Sequence, residues 1–489
     1  MVIAVLLAAA YGAAVGVTLP RGPVTTGGAL TTLVVSVAVG LVAGYLTRTR
    51  WAMLIAPLVF AAAFELVRAG ASGPTVDGIR LTSTYGALAF VVGRGFLALM
   101  TLAPIALGAV MGAGAARAPR TTPTSHGWSR SALYLRRAIT ATLAVALVAF
   151  GALLARPAQT EPILGVDGEP LPDSVAELTS VEIDGHDLGL MIRGHDVDNP
   201  VLLFLAGGPG GSELGAMRRH AEGLEEDFVV ATFDQRGTGR SHGELEPTDT
   251  LTLDRAVADV IEVAHHLRDR FDQEQIYLVG QSWGATLGVL AVQADPALFE
   301  AFVGVGQMVS QRETDRIFYQ DTLAWAQREG DQDLVDQLTE IGPPPYDDVA
   351  DYEIALSHEH QVYSYDHSAN AEGQGGFSEN LFVEEYTLLE QVHALGAFLD
   401  VFATLYPQLQ DIDFRVDAVE LDVPVYLVQG RHEARGRSEL AEEWFGMLQA
   451  PHKELIVLDT SGHRPIFEQP DEFHDVMVND VLPDRLTSP

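Results

Sequence analysis

The stretch Ile276-Tyr277-Leu278-Val279-Gly280-Gln281-Ser282-Trp283-Gly284 decides the fold of most of this chain. Its first four residues are apolar, as in a buried strand, and the residues after it, 285–293, have the composition of a helix. Gly280 and Gly284 permit a turn that is too tight for side chains at either position. We therefore expect the Ser282 hydroxyl to be held out above a sheet, beside helix N–H groups that can face an oxyanion.

Further predicted strands surround this turn and alternate with helical segments. The alternation predicts a mostly parallel sheet covered on both faces, and a serine at a strand-to-helix turn is typical of the α/β-hydrolase fold. Residues 311–421 interrupt the pattern with polar helical stretches, including Asp351–His360 and Glu384–Tyr406. We expect them to form a helical cap over the C-terminal strand ends, where ligands bind in open sheets. The strands are predicted at 178–183, 188–193, 201–205, 228–233, 275–279, 301–305, 423–429 and 454–458.

The first 156 residues are predicted to form a transmembrane helical bundle. A spanning helix needs about 20 predominantly apolar residues, and five runs approach that length. The first run lacks a positively charged segment before it, which favours a retained span over a cleaved signal peptide. A shorter run, Thr82–Gly93, either extends the fourth span or lies at the membrane interface. The five runs are Val2–Leu19, Gly28–Leu46, Trp51–Val67, Gly95–Gly114 and Ala138–Ala155.

Charge divides the chain into two parts. Residues 1–156 hold twelve arginines and two acidic residues, and the rest of the 66 acidic residues follow them. Because arginine-rich loops face the cytoplasm, the pattern predicts a cytoplasmic N-terminus and an extracytoplasmic remainder. The acidic remainder would repel phosphates, which argues against nucleic acid as a partner. The arginines that decide the orientation are Arg48 and Arg50 in one loop and Arg117, Arg120, Arg130, Arg136 and Arg137 in another, against Arg21, Arg68 and Arg80 in the other two.

The boundaries of the remaining parts follow from composition. Residues 157–176 are rich in proline and glycine and are predicted as a linker. The hydrolase core then comprises residues 177–310 and 422–489, on either side of the predicted cap at 311–421. No cysteine is present, which excludes disulfides, thiolate metal sites and a cysteine nucleophile.

A serine nucleophile needs a base to take its proton and an acid to orient that base. In this fold the chain order is serine, acid, histidine. His463 follows the last predicted strand and Glu433 follows the strand before it, so these two are the expected base and acid. The mechanism requires no metal or organic cofactor. The alternative histidines in the region are His432, His452 and His474.

An oxyanion hole needs two N–H donors. The backbone of Trp283, directly after the nucleophile, is expected to supply one of them. The Gly207-Gly208 turn after the third strand is expected to supply the other, because glycine permits close approach of the backbone. A phosphate cradle is the rival interpretation of these glycines, but the segment lacks both the Gly-Lys-Ser/Thr ending and the G-x-G-x-x-G spacing.

Four segments together resemble the prolyl iminopeptidase family of α/β-hydrolases. The resemblance covers about residues 176–482 and implies that Ser282 is the nucleophile, His463 the base and Glu433 the acid. It also implies that an N-terminal residue, often proline, is released from short peptides. The segments are Gly207-Gly208-Pro209-Gly210, Asp234-Gln235-Arg236-Gly237-Thr238-Gly239-Arg240-Ser241, Gly280-Gln281-Ser282-Trp283-Gly284 and Ser461-Gly462-His463.

The chain departs from that family in three respects. Ala206 stands where the family usually has a histidine before its glycines, and Glu433 stands where it usually has an aspartate. The resemblance implies cap glutamates that bind the free amine of the substrate, and Glu379, Glu384 and Glu385 are the candidates. The N-terminal membrane region is not part of the usual family pattern.

Three functions are compatible with these patterns. The first is a membrane-anchored, extracytoplasmic serine aminopeptidase acting through an acyl-enzyme on Ser282. The second is a carboxylesterase or lipase with the same triad. The substrate is a small peptide for the first function and an ester for the second. The third is a non-catalytic membrane sensor built on a hydrolase fold. The oligomeric state stays open.

Overall fold

A computed structural model describes residues 1–71, 73–77, 81, 83–117, 127–245, 248–363 and 379–483. They form two units, one comprising Met1–Pro157 with Thr387–Gly396 and the other comprising Ala158–Tyr386 with Ala397–Pro489. Residues 158–176, predicted as a linker, belong to the second unit. Arg80 and Arg120, used above for the orientation, lie outside the described residues, as does Thr82.

The first unit contains a long helix at each of the five predicted apolar runs. The fourth helix is longer than predicted, because most of the short run Thr82–Gly93 forms its first turns. By length and composition, four described helical stretches are long and apolar enough to cross a membrane: Thr26–Thr47, Thr84–Ala116, Tyr134–Leu154 and Leu388–Asp411. The helices at the five predicted runs are Val2–Thr18, Thr26–Thr47, Ala52–Arg68, Thr84–Ala116 and Gly127–Leu154.

Small residues bring the second and fourth of these helices into backbone contact. A Cβ on Gly40 would lie 2.1 Å from the carbonyl oxygen of Ile105, and one on Gly44 would lie 2.1 Å from that of Ala109. Helix pairs in membranes associate through such small residues four positions apart. At one end of the pair, Arg117 Nε donates to the Arg48 carbonyl oxygen at 2.6 Å. The two loops predicted to be cytoplasmic therefore start at the same end of this helix pair.

The second unit is built on an eight-stranded sheet with the order β1-β2-β4-β3-β5-β6-β7-β8. β1 and β2 form a hairpin, β2 pairs antiparallel with β4, and the remaining pairs are parallel. All eight predicted strands are confirmed, with ends that differ by up to three residues. The strands are β1 Val175–Ile183, β2 His186–Gly194, β3 Val201–Leu205, β4 Val229–Phe233, β5 Ile276–Gln281, β6 Phe299–Val305, β7 Val425–Gly430 and β8 Lys453–Leu458.

Helices cover both faces of the sheet, and the central strands are therefore buried on both sides. Residues of β3 alternate between two hydrophobic clusters: Leu203 belongs to one and Phe204 to the other. Continuous apolar strands of this kind are expected in a parallel sheet with two covered faces. The helices of the core outside the insertion are Leu214–His220, Leu253–Phe271, Trp283–Ala294, Arg435–Met447, Pro465–Glu468 and Pro470–Val476.

An insertion, residues 311–421, lies between β6 and β7 in the chain, and its described parts, 311–363 and 379–421, are largely helical. Two of its predicted helices need correction. The helix predicted at Asp351–His360 is two short helices, and the one predicted to begin at Glu384 begins at Leu388. Thr387 explains the later start, because it forms a capping box with Glu390. The Thr387 hydroxyl accepts from the Glu390 N–H, and the Glu390 carboxylate accepts from the Thr387 N–H. The described helices are Gln311–Glu329, Gln332–Ile341, Tyr352–Leu356, Glu359–Val362, Leu388–Leu405 and Phe414–Asp417.

Candidate active site

Ser282 lies in a sharp turn between β5 and the helix Trp283–Ala294. Its φ of 55° and ψ of −116° are unusual for a residue with a side chain. A Cβ on Gly280 would lie 2.2 Å from the Gly284 carbonyl oxygen, and one on Gly284 would lie 2.0 Å from that of Leu205. The expectation that neither position tolerates a side chain is therefore confirmed. The turn places the serine at the C-terminal edge of the sheet.

The structure brings Ser282, His463 and Glu433 together. His463 Nε2 lies 2.9 Å from Ser282 Oγ, and His463 Nδ1 lies 2.6 Å from Glu433 Oε2. Each group comes from the end of a different strand, since β5, β7 and β8 run parallel and their C-terminal ends share one edge. Of the alternative histidines, His474 hydrogen-bonds to Asp227 instead.

Glu433 is held in its ionised form. Its side chain is fully buried, and its Oε1 accepts the Ala434 N–H at 2.7 Å and Arg437 Nε at 2.8 Å. Burial alone would raise the pKa of this carboxyl, but Arg437 and His463 together outweigh it and lower the pKa to about 2. An ionised carboxylate only accepts, so His463 Nδ1 carries the proton and Nε2 accepts from the Ser282 hydroxyl.

The oxyanion-hole prediction needs one correction. Gly207 N–H donates to Glu213 Oε2 at 2.9 Å, so this group is already engaged and is not a donor to substrate. The N–H groups of Gly208 and Trp283 then form the candidate pair. Glu213 was missed by sequence reasoning because the glycines before it carry the recognisable pattern and a single acid after them does not.

Gln235 links the two sides of this candidate hole. Its Nε2 donates to the Ala206 carbonyl oxygen at 3.0 Å, and its Oε1 accepts from Trp283 Nε1 at 2.8 Å. The side chain is buried. A single amide thus fixes both the glycine turn and the residue after the nucleophile. Gln235 lies within the Asp234–Ser241 motif quoted above, but the motif gives no indication of what this side chain contacts.

The loop carrying His463 is fixed by acidic residues. Glu468 Oε2 accepts the Gly462 N–H at 2.5 Å, and burial raises the pKa of this carboxyl. Arg464 donates to Glu213 at 3.1 Å and to Glu379 of the insertion at 3.2 Å. The base loop, the glycine turn and the insertion are thereby joined through one guanidinium.

The three glutamates proposed to bind a substrate amine lie in different pairings. Glu379 accepts from Arg464 and from His220, the latter at 2.9 Å. Burial alone would raise the Glu379 pKa, but these two partners outweigh it and lower that pKa. Glu385 accepts from Arg218 at 3.2 Å, and Glu384 accepts from Gln159 at 3.1 Å. Of the three, the structure joins Glu379 to the base loop, through Arg464.

A match to a family of known proteins agrees with this architecture. The family described as the alpha/beta hydrolase fold matches residues 200–470. The probable aminopeptidase YbaC of Bacillus subtilis (strain 168) is 28% identical over 320 residues, covering 63% of this chain and 97% of that protein. A probable proline iminopeptidase of Leptolyngbya boryana is 28% identical over 276 residues, covering 54% and 80%. The solved proline iminopeptidase of Mycobacterium smegmatis has a TM-score of 0.47 at 18% identity, covering 64% of this chain and 100% of that chain.

Proposed function

Because the chain belongs to the α/β-hydrolase fold family, we propose that it is a membrane-anchored serine hydrolase, an aminopeptidase of the prolyl iminopeptidase type. The observation that carries the proposal is the position of His463, whose two ring nitrogens lie 2.9 Å from Ser282 Oγ and 2.6 Å from Glu433 Oε2. The choice of peptides as substrates is supported by the names of the relatives, which are aminopeptidases and proline iminopeptidases.

The proposed reaction proceeds through an acyl-enzyme. Ser282 Oγ attacks the carbonyl carbon as His463 Nε2 takes its proton, and Glu433 stabilises the imidazolium that forms. The N–H groups of Gly208 and Trp283 stabilise the oxyanion. His463 then gives the proton to the leaving amine as the C–N bond breaks. Water, deprotonated by the same imidazole, attacks the acyl-enzyme and releases the amino acid and the free serine.

The insertion acts as a cap over this site in the proposed enzyme. Tyr386 of the insertion donates to the Asp234 carboxylate, at the C-terminal end of β4, at 2.9 Å. Asn380 Oδ1 accepts the Ala216 N–H, just beyond the glycine turn, at 2.8 Å. These contacts support a cap because they lie at the sheet edge that carries Ser282, where residues covering the nucleophile would exclude water.

Substrate preference tests the proposed activity. The full-length chain in detergent is expected to cleave a prolyl arylamide with a kcat/KM at least about 100-fold above that of its N-acetylated analogue, because a site built for a free amine rejects a substrate without one. Kinetic assays of both amides and of an aryl ester provide the measurement, with a Ser282→Ala preparation as the control for contaminating hydrolases. Cleavage of the ester with neither amide cleaved would identify the chain as an esterase instead.

The proposed enzyme is anchored by the five-helix N-terminal bundle, with the hydrolase part on the extracytoplasmic side. The shared end of Arg48 and Arg117 supports this orientation, since it groups the arginine-rich loops. Because the chain has no cysteine, single introduced thiols report the topology. A membrane-impermeant maleimide is expected to label Asp187→Cys on intact cells and Thr49→Cys only after permeabilisation. The reverse pattern would contradict the orientation.

A further inference from the structure

Arg437 lies at the centre of a buried charge cluster beside the proposed acid. It is one helical turn beyond Glu433, in the helix Arg435–Met447, and its side chain is 5% exposed. Its Nε donates to Glu433 Oε1 at 2.8 Å, and its Nη2 donates to Glu359 in the insertion. The guanidinium also lies 4.9 Å from the ring centroid of Phe318. One cation therefore joins the proposed acid to the insertion.

This geometry solves a problem that a glutamate creates at the acid position. Glutamate has one more rotatable bond than aspartate, so its carboxylate needs more constraint to stay aimed at His463. Oε2 contacts His463, whereas Oε1 is held from two directions, by the Ala434 N–H and by Arg437. The planar guanidinium fixes the orientation of the carboxylate more firmly than a flexible ammonium would.

We propose that Arg437 is a positioning residue for the reaction: its guanidinium keeps the Glu433 carboxylate turned toward His463 and ties that carboxylate to Glu359 of the insertion. The inference rests on the proposed serine-hydrolase function and extends it, since it makes the geometry of the acid depend on a contact from the insertion. Within the part of the chain that the structure describes, the hydrogen bonds of Arg437 to the site go to Glu433 and Glu359 and not to Ser282 or His463, so it acts on the reaction through Glu433.

The charges around Glu433 and His463 determine how the labelling rate responds to pH. Glu433 Oε2 and His463 Nδ1 are joined by a hydrogen bond of 2.6 Å. A nearby cation weakens proton binding by the Glu433 carboxylate and a nearby anion strengthens it. Among the described residues, the charged and titratable groups that face Glu433, His463 or Arg437 include Glu359, Asp315, Tyr363 and Tyr406 from the insertion and Glu468 from the base loop.

The test measures how fast a fluorophosphonate labels Ser282 in the full-length chain in detergent, as a function of pH. In Arg437→Met, labelling at neutral pH is expected to fall about 100-fold, an effect typical of losing the partner that orients a functional ligand. The acid limb of the profile is expected to move up by about 1–3 pH units, because the cation beside the carboxylate is gone. Arg437→Lys is expected to return the acid limb toward that of the wild type but to recover only part of the rate.

Glu359→Gln is expected to shift the acid limb in the opposite direction. It keeps the proposal testable if Arg437→Met fails to fold. Glutamine keeps an acceptor oxygen for the guanidinium but removes the competing anion, so the acid limb is expected to move to lower pH. Arg415→Met is the matched control, since Arg415 also joins the insertion to the helix Arg435–Met447, through Glu313 and Glu443, without contacting the triad. Its profile should follow that of the wild type.

The outcomes separate the positioning role from the proposed function. If Arg437→Met labels as fast as Arg415→Met and both acid limbs coincide with that of the wild type, Arg437 has no positioning role. An acid limb in Glu359→Gln that moves up instead of down would also overturn the inference. If the wild-type chain is not labelled at Ser282 at any pH, the serine-hydrolase proposal itself fails, whatever the variants do.

Discussion

Replacing Ser282 with alanine is expected to lower kcat by about a million-fold, the loss seen when a serine hydrolase is deprived of its nucleophile. The substitution removes only the Oγ atom that contacts His463 Nε2 and leaves the hydrogen bond from the Ser282 N–H to the Val305 carbonyl oxygen. The elbow should therefore keep its shape. Steady-state kinetics on the substrate that the wild type cleaves best, together with fluorophosphonate labelling, provide the measurement.

The matched control for this loss is Ser357→Ala. Ser357 is exposed on the insertion, and its partners among the described residues are Ile354 and His358 of its own segment, so this variant should retain wild-type activity and labelling. Comparable thermal unfolding of both variants would show that the loss is chemical and not structural. Turnover by Ser282→Ala at more than a small fraction of the wild-type rate would refute the assignment of the nucleophile.

Replacing Glu433 with glutamine is expected to lower kcat by about 10⁴-fold. Glutamine preserves the size of the side chain, but it is neutral and can present a donor to His463 Nδ1 where the glutamate presents an acceptor 2.6 Å away. The imidazole then favours the tautomer with its proton on Nε2, which cannot accept from Ser282. The measurement is the kcat of the variant together with the imidazole proton chemical shifts, which report the tautomer.

Glu439→Gln supplies the comparison for that experiment. Glu439 belongs to the same helix as Arg437 but is exposed and pairs with Arg435. The kcat of Glu439→Gln should therefore match that of the wild type. Because the pKa of Glu433 is lowered to about 2, the carboxylate stays ionised as pH falls until close to that value. Protonation of Glu433 therefore does not limit wild-type activity between pH 4 and 8. A glutamine variant with near-normal kcat would exclude Glu433 as the acid.

The sheet and the meeting of the three proposed catalytic side chains could be predicted from the sequence because each depends on local patterns. Buried parallel strands are short apolar runs, and the C-terminal ends of such strands share an edge whatever the intervening chain does. Locating Ser282, Glu433 and His463 after β5, β7 and β8 was thus enough to place them together. The roles of these residues stay predictions that the distances support.

The contacts between the insertion and the site could not be predicted in the same way. Arg437 and Glu359 are 78 positions apart, and Gly207 bonds to an acid that no motif marks. In a chain with 66 acidic residues, composition does not select which carboxylate meets which cation. The spacing of four between Glu433 and Arg437 was a usable signal, because Glu433 stands two residues before the helix Arg435–Met447 and Arg437 lies in its first turn.

The backbone conformation of Ser282 lowers the stability of the native state. A residue with a side chain in such a conformation raises the energy of the native state by about 1–3 kcal/mol, and glycine would adopt it almost freely. The native state is thus destabilised at the position of the proposed nucleophile. A substitution that relaxes this turn would raise the thermal stability of the chain. It would also displace the hydroxyl of the proposed nucleophile, because the same torsion angle that strains the backbone positions that hydroxyl.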